Sequence, residues 1–195
     1  WKIAESPKVA KLFAAPGNAG IATIAENLPI SADDIPSLVK AAKQNKIDLV
    51  VVGPEAPLTM GLVDVLLEAG IPAFGPSKKA AQIEGSKIFA KDLMQRHNIP
   101  CARSASFDSF ENASDHIKTQ SFPLVIKADG LAAGKGVFIA SSIEEAMEAL
   151  TSMMEKRVFG EAGNRVIIEE YLVGKEASLL AFSDGTTAAI MIPAC

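Results

Sequence analysis

The stretch PLVIKADGLAAGKGVFIA, Pro123 to Ala140, sets a glycine-rich segment between two apolar runs. PLVIK (123–127) and GVFIA (136–140) each have the length and the β-branched content of a strand. The segment KADGLAAGKG between and across their ends carries three glycines and two lysines, and Asp129 is its one acidic residue. A bare, basic loop of this kind serves either as a flexible turn or as a cradle for a phosphate chain, with backbone N–H groups and ammonium charges laid along it. Because it joins strand to strand, it is not a Walker loop, which needs four residues between its glycines, then Gly-Lys-Ser/Thr opening a helix. Here Gly130 and Gly134 enclose three residues, and Gly136 follows Lys135. The dinucleotide fingerprint G-x-G-x-x-G is absent as well. What remains is a long hairpin loop, basic at both ends, able to fold down over a nucleotide's phosphates.

Downstream, a helix is expected from Ile143 to about Lys156, with Ile143, Met147, Leu150 and Met154 on one face and a capping box from Ser142 and Glu145. Strands are expected at Val166–Glu170, about Ala177–Phe182 and Thr187–Ile192, the last two joined through Ser183-Asp184-Gly185. The link EEYLVGKE, 169–176, is a candidate adenine reader. An adenine needs an acceptor for its amino group and a donor for its ring nitrogen, and an irregular strand exit offers both. Glu176 could accept from ribose hydroxyls; the alternative is that Glu169, Glu170 and Glu176 are surface charges.

Upstream of the hairpin, a polar stretch after Pro100 holds a helix at about Glu111–Lys118, and a domain boundary is expected near residues 100–105. Helical spacing runs through Ala80, Ile83, Ile88, Phe89, Leu93 and Met94, interrupted at Gly85 and stopped at Asn98. The first hundred residues alternate: strand Val9–Ala14, helix Asp33–Gln44 capped by Ser31, strand Ile47–Val52, helix Thr59–Glu68 ended at Gly70, and a short strand in IPAFGPS. The unbroken run IDLVVV reads as a strand covered on both faces. This is an open parallel α/β sheet, in which ligands bind at loops after the strand ends, here PGNAG and GPEAP. Each loop also reads as a plain turn.

The chain has 195 residues, 49% apolar and 22% charged, with a net charge of −4. That balance suits a globular protein and argues against nonspecific nucleic-acid binding. Two distant cysteines, Cys101 and Cys195, offer neither a disulfide framework nor metal-ligand spacing, which suits a reduced cytosolic compartment. No run approaches the length of a membrane span, and no leader is evident. The opening WKIAESP and the closing AAIMIPAC read as cut ends, so a fragment of a longer chain is expected.

Taken in order, APGNAG, VVGPEAPL, FGPS, AAQIEGSK, VIKADGLAAGKGV and IEEYLVGKEAS resemble the glycinamide ribonucleotide synthetase (phosphoribosylamine–glycine ligase) family of the ATP-grasp superfamily, over nearly the whole chain. The resemblance implies an α/β N-terminal domain (1–102) without its first strand, an ATP-grasp lid subdomain (103–170), and the start of a second α+β subdomain (171–195). It implies ligation of glycine to 5-phosphoribosylamine with ATP through glycyl phosphate, in de novo purine biosynthesis, with Mg²⁺ or Mn²⁺, in the cytoplasm, without nucleic-acid or membrane partners. The family also occurs fused to other purine-biosynthesis domains.

By the same resemblance, Lys87 and Lys127 meet ATP phosphates, and Gly130, Gly134, Lys135 and Gly136 form the lid. Glu169 and the backbone near Leu172 read adenine, and Glu176 holds the ribose. Asn18, Gly20, Gly53, Pro54, Glu55 and Pro57 line the phosphoribosylamine pocket. No residue of the chain is assigned a catalytic role, and His97 and His116 read as structural or solvent-facing. The family's first strand, with its Arg-Glu-His loop, is expected before Trp1. Its metal-binding acidic residue and Asn are expected past Cys195, where the family usually has Gln. Alone, residues 1–195 are therefore expected to be inactive. The competing readings are another ATP-grasp ligase and a noncatalytic nucleotide-binding module.

Overall fold

The structure is a computed structural model that describes residues 1–132 and 135–194. In its first part, β1 (Phe13–Ala14) pairs in parallel with β2 (Glu26–Asn27). A 3₁₀ turn at Ile21–Thr23 lies between them. The sequence gives no sign of β2, because a two-residue strand has no period to read. Helix α1 (Ile35–Gln44) follows, with Pro36 in its first turn. Asp34, not Ser31, caps it, accepting a hydrogen bond from the Ser37 N–H at 3.2 Å. An acidic cap also favours the positive end of the helix.

β3 (Val50–Val51) pairs in parallel with β4 (Ala73–Phe74). The single open sheet expected from the alternation is thus resolved into two short parallel pairs. The expectation that Ile47–Val52 is covered on both faces is corrected. Val52 is buried, whereas Leu49 is 55% and Val51 46% exposed. Only one side of the run packs, against Ala42, Leu62, Val63, Leu66 and Ile71.

The helix expected from Thr59 is two helices, α2 (Glu55–Met60) and α3 (Leu62–Glu68). Gly61 separates them with φ of +97°, a conformation that a side chain would strain. After α4 (Gln82–Gly85), Ser86 caps α5 (Lys87–Arg96) through the Phe89 N–H.

The larger core belongs to a four-stranded antiparallel sheet. Its strands are β5 (Ser104–Phe107), β6 (Leu124–Ala128), β7 (Val137–Ala140) and β8 (Val166–Glu170), in the order β5-β8-β6-β7. Helices α6 (Phe110–Lys118) and α7 (Ile143–Leu150) close one face. Leu124, Ile126, Ala128, Val166 and Ile168 project there among Ala113, Ile117, Ala146, Ala149, Leu150 and Met153. Full burial of such a side chain contributes about 1.5–3 kcal/mol against leaving it exposed.

The buried stripe of α7 is Ala146, Ala149 and Leu150, continued by Met153 in the π-turn Thr151–Glu155. Of the stripe expected through Ile143, Met147, Leu150 and Met154, Leu150 is fully buried, Met147 and Met154 pack at the margin of the core, and Ile143 is exposed, so the stripe is rotated toward the alanines. Alanines let the helix lie close to the sheet and carry little hydrophobic signal of their own. The capping box holds in shifted form: Ser142 Oγ accepts from the Glu145 N–H, while the Glu145 carboxylate accepts from the Ser141 N–H at 2.7 Å.

Beyond β8 the chain is exposed throughout residues 171–194. β9 (Ala181–Ser183) and β10 (Ala188–Ile190) form an antiparallel hairpin, shorter than the two strands expected. Phe182 sets its ring 6.0 Å from that of Phe74, so the hairpin folds back on β4.

Candidate functional site

Strand alternation gives the sheet a second face. In the β6–β8 register Val125 stands opposite Glu169 and Lys127 opposite Ile167. Lys127 and Glu169 are therefore diagonal neighbours on the face turned away from α6 and α7. Glu169 is only 5% exposed, and its two carboxylate oxygens are divided between two ammonium groups. Lys127 Nζ lies 2.8 Å from Oε2 and Lys91 Nζ 3.1 Å from Oε1. Lys91 comes from α5 and also donates to the Ala102 carbonyl at 3.1 Å. A shallow cavity of ≈ 100 Å³ adjoins it, between Ile88, Gln95, Ser104 and Ser106.

A second polar junction sits at the root of the β6–β7 hairpin. Asp129 is buried, although it belongs to the basic loop. Its Oδ1 accepts from Ser86 Oγ and from the Ile88 N–H, both at 2.9 Å, and its Oδ2 accepts from Arg165 Nη2. Its backbone is engaged too: its carbonyl accepts the Lys87 N–H at 3.1 Å, and its N–H donates to the Arg165 carbonyl at 3.0 Å. The one anion of the loop is thus consumed by the start of α5 and by Arg165, not presented to a ligand. Lys87 Nζ reaches across to the Gly130 carbonyl at 3.0 Å.

Of the expected lid residues, Gly130, Lys135 and Gly136 lie on this hairpin, and Lys135 is exposed. The Gly136 carbonyl accepts from the Ala128 N–H at 2.9 Å. A Cβ on Gly136 would stand 2.6 Å from that of Ala132 and 3.2 Å from that of Ala128. Only glycine fits there. Gly134 lies outside the described residues.

After Glu169 the chain leaves the sheet through Glu170, which is clamped by Arg103. The Arg103 backbone N–H and Nε each donate to its carboxylate at 2.8 Å, and Nη2 lies 2.7 Å away. These Arg103 hydrogen bonds hold the Glu170 carboxyl below the usual range and raise that of the guanidinium. Leu172 is 64% exposed, and Glu176 is exposed as well.

The residues expected around phosphoribosylamine fall on the two parallel pairs. Asn18 is exposed, but its Oδ1 accepts the Ile21 N–H at 2.9 Å and its carbonyl accepts Asn27 Nδ2 at 2.8 Å. It thereby shapes its own loop, beside exposed Gly20. Gly53, Pro54 and Glu55 are exposed at the start of α2, whereas Pro57 is a fully buried residue of that helix. His97 follows the last turn of α5, and His116 stacks 5.0 Å from the Phe107 ring.

Lys91, Asp129 and Arg165 were not singled out as site residues from the sequence. Lys91 had one available signal: with Lys87 it forms an i, i+4 pair of like charges on one helix face, which calls for an acceptor elsewhere. Among the described residues, no three His, Cys, Asp or Glu side chains gather as a metal-binding group, and no helix is long and apolar enough to cross a membrane.

The family model for the phosphoribosylglycinamide synthetase N domain matches residues 1–84, and that for the ATP-grasp (A) domain of the same synthetase matches residues 85–195. The phosphoribosylamine–glycine ligase of Haemophilus influenzae is 52% identical over 187 residues, covering 95% of this chain and 44% of that protein. The ligase of Caldanaerobacter subterraneus is 52% identical over 193 residues, covering 99% and 46%. The chain thus spans less than half the length of these curated relatives.

Among solved structures, the phosphoribosylamine–glycine ligase of Thermotoga maritima superposes with a TM-score of 0.78 at 31% identity, covering 99% of this chain and 45% of that one. The N5-carboxyaminoimidazole ribonucleotide synthetase of Thermus thermophilus, at 22% identity over 93% of this chain and 46% of its own, gives 0.69, a likeness of fold alone. With both family models together covering the chain from end to end, it belongs to the phosphoribosylglycinamide synthetase family.

Proposed function

We propose that this chain supplies the nucleotide-binding part, and a portion of the amine-substrate part, of a phosphoribosylamine–glycine ligase that works in the cytoplasm in purine biosynthesis. The observation that carries the reading is the root of the glycine hairpin. Ammonium groups from two different elements, Lys127 on β6 and Lys87 on α5, come to the base of a loop whose Gly136 leaves no room for a side chain. Such a root suits a polyphosphate, since charge-assisted hydrogen bonds are the stronger kind.

In the reaction, a glycine carboxylate oxygen attacks the γ-phosphorus of ATP and ADP leaves. The amine of 5-phosphoribosylamine then attacks the carbonyl carbon of glycyl phosphate, inorganic phosphate leaves, and the nitrogen loses a proton. On this reading Lys87 and Lys127 bind and orient the phosphates, and the loop through Gly130, Gly134, Lys135 and Gly136 excludes water above them. The backbone at Leu172 reads the adenine edge, and Glu176 accepts from the ribose hydroxyls. Asn18, Gly20, Gly53, Pro54 and Glu55 face the amine substrate. A divalent cation, Mg²⁺ or Mn²⁺, would neutralise the triphosphate. Among the described residues no three His, Cys, Asp or Glu side chains gather to hold it.

The test is turnover by the intact protein that carries this chain. With ATP, Mg²⁺, glycine and freshly made 5-phosphoribosylamine, ADP and glycinamide ribonucleotide should form in equal amounts. ADP formation that ignores 5-phosphoribosylamine, or that follows another amine, would replace this reading with another ligase of the same fold.

A further inference from the structure

The Glu169 cluster holds more positive charge than Glu169 needs. One carboxylate, almost fully buried, faces two ammonium groups, of which Lys91 is 14% and Lys127 28% exposed. The two lysines are not equivalent. Lys91 is the more buried, is anchored a second time on the Ala102 carbonyl, and projects from a helix whose first turn is tied to Asp129. Lys127 is the more exposed and stands on the strand that enters the glycine hairpin. A buried carboxylate stripped of its only partner is strongly destabilising. With Lys91 in place, Lys127 can turn away and Glu169 keeps a counter-charge.

We propose that Lys91 is a positioning residue for nucleotide binding: it holds Glu169 neutralised, and so frees the Lys127 ammonium to move from Glu169 to a ligand phosphate. This rests on the reading of Lys127 as a phosphate contact. Lys91 itself touches no nucleotide. Its effect is to lower the cost of turning Lys127 outward. Without it, Lys127 is the sole counter-ion of a buried carboxylate and stays bound there, whatever phosphate is offered.

The inference separates from a merely structural staple by comparing ligands with and without phosphates. In the intact protein, Lys91→Met should weaken ATP binding by about tenfold, the scale of one charge-assisted contact. Adenosine binding should change less than about twofold, because adenosine makes no demand on Lys127. In a Glu169→Gln background no carboxylate holds Lys127, and adding Lys91→Met should leave the ATP-to-adenosine affinity ratio where Glu169→Gln alone puts it. Lys91→Arg, which keeps the charge, should stay near the parent ratio.

Equal losses of ATP and adenosine in Lys91→Met would make Lys91 a staple and overturn the inference. So would an unchanged ratio in that variant, or a further fall on the Glu169→Gln background. Should Lys91→Met fail to fold, the double variant buries neither charge and carries the same test through its ratio. Lys127→Met distinguishes the two levels. If it leaves ATP affinity intact, the phosphate role of Lys127 fails; if it weakens ATP while Lys91→Met does not, only the inference about Lys91 fails.

Discussion

On β6, Leu124, Ile126 and Ala128 turn to one side of the sheet, while Val125 and Lys127 turn to the other. On β8, Val166 and Ile168 share the first side, and Ile167 and Glu169 the second. The first side is sealed by α6 and α7 around an apolar cluster. The second, built from the same two strands one residue out of step, buries a carboxylate between ammonium groups. A period of two lets one sheet keep these demands apart. The apolar side supplies the rigidity that burying charge on the other side requires, and the charged side supplies chemistry that an apolar core excludes.

That division can be broken from either side. Ile126→Ala removes fully buried methyl and methylene groups from the sealed face. It should cost about 2–5 kcal/mol in denaturant unfolding, while the fraction that stays folded binds ATP as the parent does. A loss of ATP affinity in that folded fraction would mean that the two faces are not independent. Lys127→Met and Lys87→Met strike the other side. Each should weaken ATP binding by about 1.5–3 kcal/mol, tenfold or more, with adenosine far less affected. Equal losses for the two ligands, measured by calorimetric titration, would trace the effect to misfolding.

A smaller effect sharpens the contrast where the chain leaves the charged face. Glu176→Ala should narrow the preference for ATP over 2′-deoxy-ATP, because a carboxylate accepts from both ribose hydroxyls. An unaltered preference returns Glu176 to the role of a surface charge.

The smallest effect concerns Arg103 and Glu170. The carboxyl of Glu170 is held below its ordinary value of 4.5, first by the Arg103 side-chain hydrogen bond. A depressed folded value contributes stability above the unfolded value and loses it as pH falls through the folded one. Parent and Arg103→Met should therefore differ in thermal stability near neutrality and converge on the acid side of about pH 4, the ordinary carboxylate range. A difference that persisted there would come from packing of the arginine stem instead.

The charged face was only partly legible in the sequence. β8 was read at its observed bounds, Val166–Glu170, and α6 to within one residue, because each has a clear period and clear stops. The hairpin between β6 and β7 followed from two apolar runs with glycines between. What the sequence did not disclose are pairings across the chain. Lys91 meets Glu169, and Asp129 meets Ser86 and Arg165, through a fold that no local pattern encodes. The break between α2 and α3 was missed for a different reason. A single glycine inside a helical pattern is tolerated, so nothing local announces the positive φ of Gly61. The resemblance puts Pro57 among the residues lining the phosphoribosylamine pocket, but the helix begins two residues before it and its side chain is buried.

Asp129 also ties together amides that are remote in sequence. The N–H groups of Lys87 and Ile88 end on its carbonyl and carboxylate, and its own N–H ends on Arg165. These amides are protected by one shared junction, so none can meet solvent by local fraying without disturbing the others. Native-state hydrogen exchange should register the first turn of α5 and the root of the hairpin as a single opening unit. Asp129→Asn should speed exchange at both ends together.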